Sequence, residues 1–209
     1  MSGLLLRCSE FACYKWSNLC GNYIFINSKM KLVMQNGDEK MEKWQNISLL
    51  ESALSTSGRI LSSNFYEVDN PSFLSEACFM MLMVSMKDAL MLLSELGRRI
   101  SFNEDLPRGV DVTKAIVDMR NAICHLGSRS RRAHPNGIFF SYGRVVGKGI
   151  LAKIYDVELS NEYEDDVAFF YGSQRLLLKR HLVRACNEAI IQAKNYAESV
   201  GLPIHFFPE

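Results

Sequence analysis

"GIFFSYGRVVGKGILAKIYDVEL" occupies residues 137–159, and the reading of the fold turns on it. Before this stretch, apolar residues recur at steps of three and four, the period of a helix facing a core. Inside it, β-branched and aromatic residues crowd together between glycines. Two such runs flank Gly147, Lys148 and Gly149, which predicts a β-hairpin turning on "GKG". "DVAFFY", residues 166–171, is a candidate third strand, closed by Gly172 and Ser173. The β insertion therefore covers about residues 137–171.

Upstream, Trp44, Ile47, Leu50, Leu54 and Leu61 mark a first helix from near Glu39. "NPS" at 70–72 breaks the chain, and Ser72 is a candidate N-cap for a second helix reaching about Leu96. That helix is apolar almost all round, so it belongs at the centre or at an interface. Asp111 or Val112 opens a third helix with Ile116, Met119, Ile123 and Leu126 inward and Gly127 as its stop. Downstream, a fourth helix is predicted from Gln174 to Val200, ended by "GLP". The expected fold class is mainly α, with a small β-hairpin insertion between the third and fourth helices of a domain covering 39–209. Residues 1–38 read as an N-terminal appendage, in which "NYIFIN" (22–27) and "KLVMQ" (31–35) are candidate strands and "NGDE" a turn.

Composition excludes several classes. The chain is 48% hydrophobic and 22% charged, enough for a core in one soluble domain. Its formal net charge is +1, so any nucleic-acid contact must come from a local patch. Cys8, Cys13 and Cys20 are too loosely spaced for a zinc knuckle and have no histidine beside them. Cys78, Cys124 and Cys186 sit in apolar helical patterns and read as small hydrophobes. No metal or cofactor is expected. The first residues lack a signal-peptide core, which points to a reducing, cytoplasmic setting. "FMMLMVSMKDALMLL" (79–93) is split by Lys87 and Asp88 and reads as a buried helix, with no membrane partner.

The third helix closes with "DMRNAICHLGSRSRR", residues 118–132. Residues four apart on a helix lie about 40° apart, so Asn121 and His125 are expected on one face. Arg120 leaves in another direction, but its stem can curl back. Met119, Ile123 and Leu126 hold the core side, so the trio projects away from it. A histidine near a helix C-terminus also suits the helix dipole without any further role.

"RNAICH" resembles the signature of the HEPN superfamily: an arginine, a polar residue, then a histidine after a short gap. The resemblance covers about residues 40–200. It implies a four-helix, up-and-down bundle with the motif at the end of the third helix, and a homodimer. Many members are metal-independent endoribonucleases of toxin–antitoxin and phage-defence systems. Carried onto this chain, the catalytic residues are Arg120, Asn121 and His125. The β insertion departs from the minimal family bundle. One branch has a tyrosine two residues after the histidine, a site of nucleotide modification by a partner antitoxin; Gly127 stands there in this chain.

The trio suits RNA cleavage. RNA carries its own nucleophile, the 2′-hydroxyl, and needs only proton transfer and charge stabilisation. Histidine titrates near neutrality, arginine offers a planar fork to phosphate oxygens, and asparagine can orient either. A two-fold dimer would supply two histidines, one as base and one as acid. Arg129, Arg131 and Arg132 follow the motif, and Arg175, Lys179, Arg180, His181 and Arg184 make a basic strip on the expected fourth helix. Of these, Arg129, Arg131, Arg132, Lys179, Arg180 and Arg184 are the candidate RNA contacts. Phe139, Phe140 and Tyr142 are candidates to stack bases, with packing against the bundle the expectation for two of the three. Two other readings stay open: a non-catalytic HEPN module that binds RNA or nucleotide or acts as a dimeric scaffold, and an unrelated helical protein with Arg120 and His125 far apart.

Overall fold

A computed structural model describes residues 28–66, 73–125, 127, 129–134 and 136–206. The chain divides into Met1–Asp38 and Glu39–Glu209, and the second unit carries the core, the sheets and the site. In the first, residues 28–38 are helical. The predicted strand at 31–35 and turn at 36–39 are therefore corrected; residues 22–27 lie outside the described residues. Lys31, Leu32, Met34 and Gln35 are good helix formers, and one glycine costs a helix only about 1 kcal/mol.

Helix α1 (Ser28–Ser62) buries Ile47, Leu50, Leu54 and Ser57, while Trp44 stays exposed. Helix α2 (Phe73–Glu95) buries Phe79, Leu82, Met83, Met86, Leu90 and Leu93. The two meet at a buried hydroxyl pair, Ser57 Oγ to Ser85 Oγ at 2.9 Å. Small side chains there let the helices approach; one hydroxyl donates to the other, and the accepting one donates to a carbonyl of its own helix. Gly97, at φ +73°, ends α2 where the sequence places the stop, with Arg98 N–H donating to Leu93 O and Gly97 N–H to Ser94 O. Helix α3 (Val112–Cys124) is capped by Asp111, whose carboxylate accepts from Lys114 N–H at 2.8 Å and from Arg99 at 2.7 and 2.9 Å. Its buried face is Val112, Ala115, Ile116, Met119, Ala122 and Ile123.

A 3-10 turn (Arg129–Arg131) leads into seven strands: β1 (Arg132–His134), β2 (Ile138–Phe139), β3 (Tyr142–Val146), β4 (Gly149–Ile154), β5 (Val157–Asn161), β6 (Val167–Tyr171) and β7 (Gln174–Leu177). A π-helix (Leu178–Val183) and helix α4 (Arg184–Ser199) follow. All pairings are antiparallel: β1 with β2, β4 with β5, and a three-stranded sheet ordered β3-β6-β7. Strand β6 is buried on both faces. Val167, Phe169 and Tyr171 join the helical core, where Phe169 stacks on Phe79 and Phe65. Ala168 and Phe170 face a second core with Leu159 and Leu177, covered by Leu151, Ala152 and Ile154 of β4. Helices, sheet and hairpin thus form three layers.

This corrects the expected mainly α bundle with one small hairpin. The described residues are 54% helical and 19% strand, in three sheets, so the fold is mixed α/β. The predicted turn is also displaced: "GKG" joins β3 to β4, which pair with other strands, and the tight turn is Tyr155–Asp156, with Tyr155 at φ +54°. Gln174–Leu177 is strand rather than the start of the fourth helix. The β5–β6 loop is fastened from within. Asn161 Nδ2, on a buried side chain, donates to the carbonyls of Gly147, Tyr163 and Asp166.

His181 is part of this framework. It is 1% exposed; its Nδ1 accepts from Leu177 N–H at 3.1 Å, which leaves Nε2–H to donate to Glu104 O at 3.0 Å. Burial holds its pKa below the ordinary histidine value. The unfolded chain therefore binds this proton at a higher pH than the folded chain. Stability should be level above about pH 6.5 in respect of this group and fall as pH drops below it. Melting curves at pH 5 and 7.5 check this: His181→Gln should lower the midpoint at pH 7.5 yet lose less on acidification than the wild type.

Candidate functional site

Helix α3 presents its last turn at the surface, beside the 3-10 turn and strands β6 and β7. Arg120 and Asn121 are half-buried, and His125 is exposed. The helix stops one residue before His125, which is extended at φ −118° and ψ 102° while its N–H still donates to Asn121 O at 3.0 Å. His125 therefore does not share a helical face with Asn121. The guanidinium closes the gap: Arg120 Nη1 lies 3.4 Å from Asn121 Oδ1 and 3.3 Å from His125 Nε2. Arginine only donates, so the second contact is a hydrogen bond when His125 is neutral with its proton on Nδ1. Arg120 Nε is shut from solvent with no partner among the described residues. An orphaned donor of that kind costs about 1–3 kcal/mol, and such groups concentrate where function needs them.

The surroundings tie α2 and the sheet to this turn. Ser75 Oγ of α2 meets Tyr142 Oη at 3.0 Å; Tyr142 pairs across the sheet with Tyr171, and Arg131 lies 5.5 Å from the Tyr171 ring centroid. Burial pushes both phenols up, so both stay neutral near pH 7. The start of α2 and the turn that follows α3 are thus linked through this pair of tyrosines. Cys124 is exposed there, unlike Cys186, whose thiol burial pushes up to about 11. Exposure of Cys124 corrects its reading as a core hydrophobe.

The candidate RNA contacts separate into two groups. Arg129 and Arg132 are exposed, and Arg131 is held over Tyr171. Arg129, Arg131, Arg132 and Lys179 make no salt bridge among the described residues. Arg180, by contrast, bonds Asp166 at 3.0 Å and Asp165 at 3.1 Å and lies over the Tyr163 ring. Those carboxylates, Asp166 first, raise its pKa. Arg184 is paired with Glu188 at 2.9 Å and Glu104 at 3.2 Å, over Phe102, and Arg175 with Glu162. With Gln174–Leu177 in a strand and His181 buried, no continuous basic strip runs along one helix. Of the candidate stacking rings, Phe140 packs in the second core and Tyr142 against the first, leaving Phe139 54% exposed. Sequence reading missed these carboxylates; all but Glu188, one turn along α4, come from other elements.

Among the described residues no group of three His, Cys, Asp or Glu side chains is placed to hold a metal ion. Comparison with protein-family models, curated proteins and solved structures finds no match.

Proposed function

We propose that this chain is a HEPN-type endoribonuclease that uses the 2′-hydroxyl of its substrate as nucleophile and serves growth arrest or defence. The observation that carries this is the Arg120 guanidinium bridging Asn121 Oδ1 and His125 Nε2 at an exposed helix end. A phosphate arriving there competes for the guanidinium. Arg120 then turns to the phosphate oxygens and leaves Nε2 free to take the 2′-hydroxyl proton. The 2′-oxygen bonds to phosphorus, the bond to the 5′-oxygen breaks, and that oxygen takes a proton from a second histidine. The products are a 2′,3′-cyclic phosphate and a 5′-hydroxyl.

The second histidine comes from a second copy of the chain. Phe73 and Leu74 are 87% and 69% exposed at the start of α2, and Met81 on the same helix is exposed. The start of α2 is linked through Ser75, Tyr142 and Tyr171 to Arg131 in the turn after α3, so burying these side chains against a second copy brings two motifs toward one another. Light scattering at micromolar concentration should report a dimer, and Leu74→Glu should split it.

Incubating the purified protein with mixed RNAs in EDTA tests the activity. Cleavage is expected, with DNA left intact because it lacks the hydroxyl. If RNA is bound in a salt-dependent way but never cut, the chain is a binding module using the same groups.

A further inference from the structure

We propose that the β1–β2 ribbon is a nucleobase-stacking subsite: Phe139 receives an unpaired base and Arg132 holds the adjoining phosphate. This rests on the ribonuclease reading and adds a specificity element to it.

The two residues are direct cross-strand partners in the antiparallel pair. Partners so placed project from one face of a ribbon. Both are exposed, and the residue between Arg132 and His134, Ala133, is buried on the opposite face. An exposed aromatic beside a cation without a salt bridge is what a single strand of nucleic acid requires, a π-face for the base and a charge for the backbone. Its neighbour Phe140 packs against the second core and leaves Phe139 turned outward.

The ribbon follows directly on the 3-10 turn that packs against α3 and is fastened at both ends. Phe140 O accepts from Gly172 N–H at 2.9 Å. Gly172 sits at φ +62°, and a Cβ there would fall against Ser130 O and within 2.7 Å of Arg131 Cα. The β6–β7 turn thus clamps the 3-10 turn that packs on α3. At the far end, His134 Nε2–H donates to Asp156 Oδ1 at 3.0 Å, Nδ1 accepts from Asn136 N–H at 3.2 Å, and the ring lies 4.9 Å from that of Tyr155. A ribbon fastened at both ends loses little backbone freedom on binding.

Binding of non-cleavable 2′-O-methyl oligonucleotides separates this inference from the nuclease reading. The probe is a single-stranded decamer with one 2-aminopurine, compared with the same strand in a duplex. The wild type should bind the single strand more tightly and quench its fluorescence. Phe139→Ala should weaken that binding about 5- to 150-fold and abolish quenching, while duplex binding stays as it was. Phe139→Trp should keep both, which a merely structural role would not explain. Arg132→Ala should lower affinity and flatten its salt dependence by about one counterion. Phe139→Ala binding as tightly as the wild type overturns the subsite alone. Wild-type binding of neither form overturns it together with the nuclease reading. If Phe139→Ala instead dissociates the dimer without touching oligonucleotide affinity per chain, the ring belongs to a protein interface and the subsite is wrong.

Discussion

His125→Ala is expected to cut RNA about 10²–10⁴-fold more slowly than the wild type while melting at the same temperature. The loss follows from removing the imidazole placed to take the 2′-hydroxyl proton. Stability should hold because the side chain is exposed, and the backbone N–H that closes α3 onto Asn121 O remains. Arg120 keeps its contact with Asn121 Oδ1. His205→Ala, another exposed histidine, is the control and should cut normally. Single-turnover rates on one RNA substrate measure the effect. A variant as fast as the wild type would remove His125 from the chemistry. Arg120→Ala is the less clean experiment, since its half-buried stem also packs.

Asp166→Ala is expected to cost about 3–5 kcal/mol of stability, because it strands a buried constellation rather than a surface pair. The Asp166 side chain is 0% exposed and accepts four hydrogen bonds. Val167 N–H and Lys179 N–H lie 2.8 Å away, Arg180 Nη1 3.0 Å and Arg180 N–H 3.1 Å. Two of those amides belong to the first turn of the π-helix, which receives no side-chain cap from Leu177. Asp166 supplies that cap from the β5–β6 loop and pins the loop to the helix. Removing the carboxylate leaves the amides without acceptors and Arg180 without its main partner. For a chain of this length the melting temperature should fall by about 6–20 °C. Asp166→Asn, which keeps one acceptor oxygen, should fall less. A midpoint unchanged in Asp166→Ala would mean that water or another carbonyl replaces the carboxylate. RNA affinity of folded Arg180→Ala should change less than that of Arg131→Ala, since Arg180 is already neutralised.

Local signals that lie within a few residues were legible in the sequence. The start of α3 at Asp111 or Val112 and Gly97 as a stop depend on nearest neighbours, and both fall where expected. Strand β6 falls within the expected "DVAFFY", although it is apolar on both faces and lacks the alternation of a strand with one wet side. Other strands were underread for a physical reason. Strand β7, "QRLL", runs into the π-helix without a glycine or proline between them. The β4–β5 turn rests on Tyr155 at positive φ, a residue that carries no turn signal. At the site, the reach of Arg120 followed from its long stem. The departure of His125 from the helix did not, because it depends on how the following turn packs beneath Gly172. Nor did the fate of the basic residues, since Arg180 and Arg184 meet carboxylates from other elements.

The most direct measurement of the central claim uses an RNA that the protein cuts, resynthesised with one 2′-deoxy nucleotide on the 5′ side of the scissile phosphate and incubated in EDTA. Cleavage at that position should vanish while neighbouring sites are cut to 2′,3′-cyclic phosphate and 5′-hydroxyl ends. Cleavage that persists at the deoxy position, or that leaves a 5′-phosphate, would contradict attack by the substrate's own hydroxyl under Arg120, Asn121 and His125.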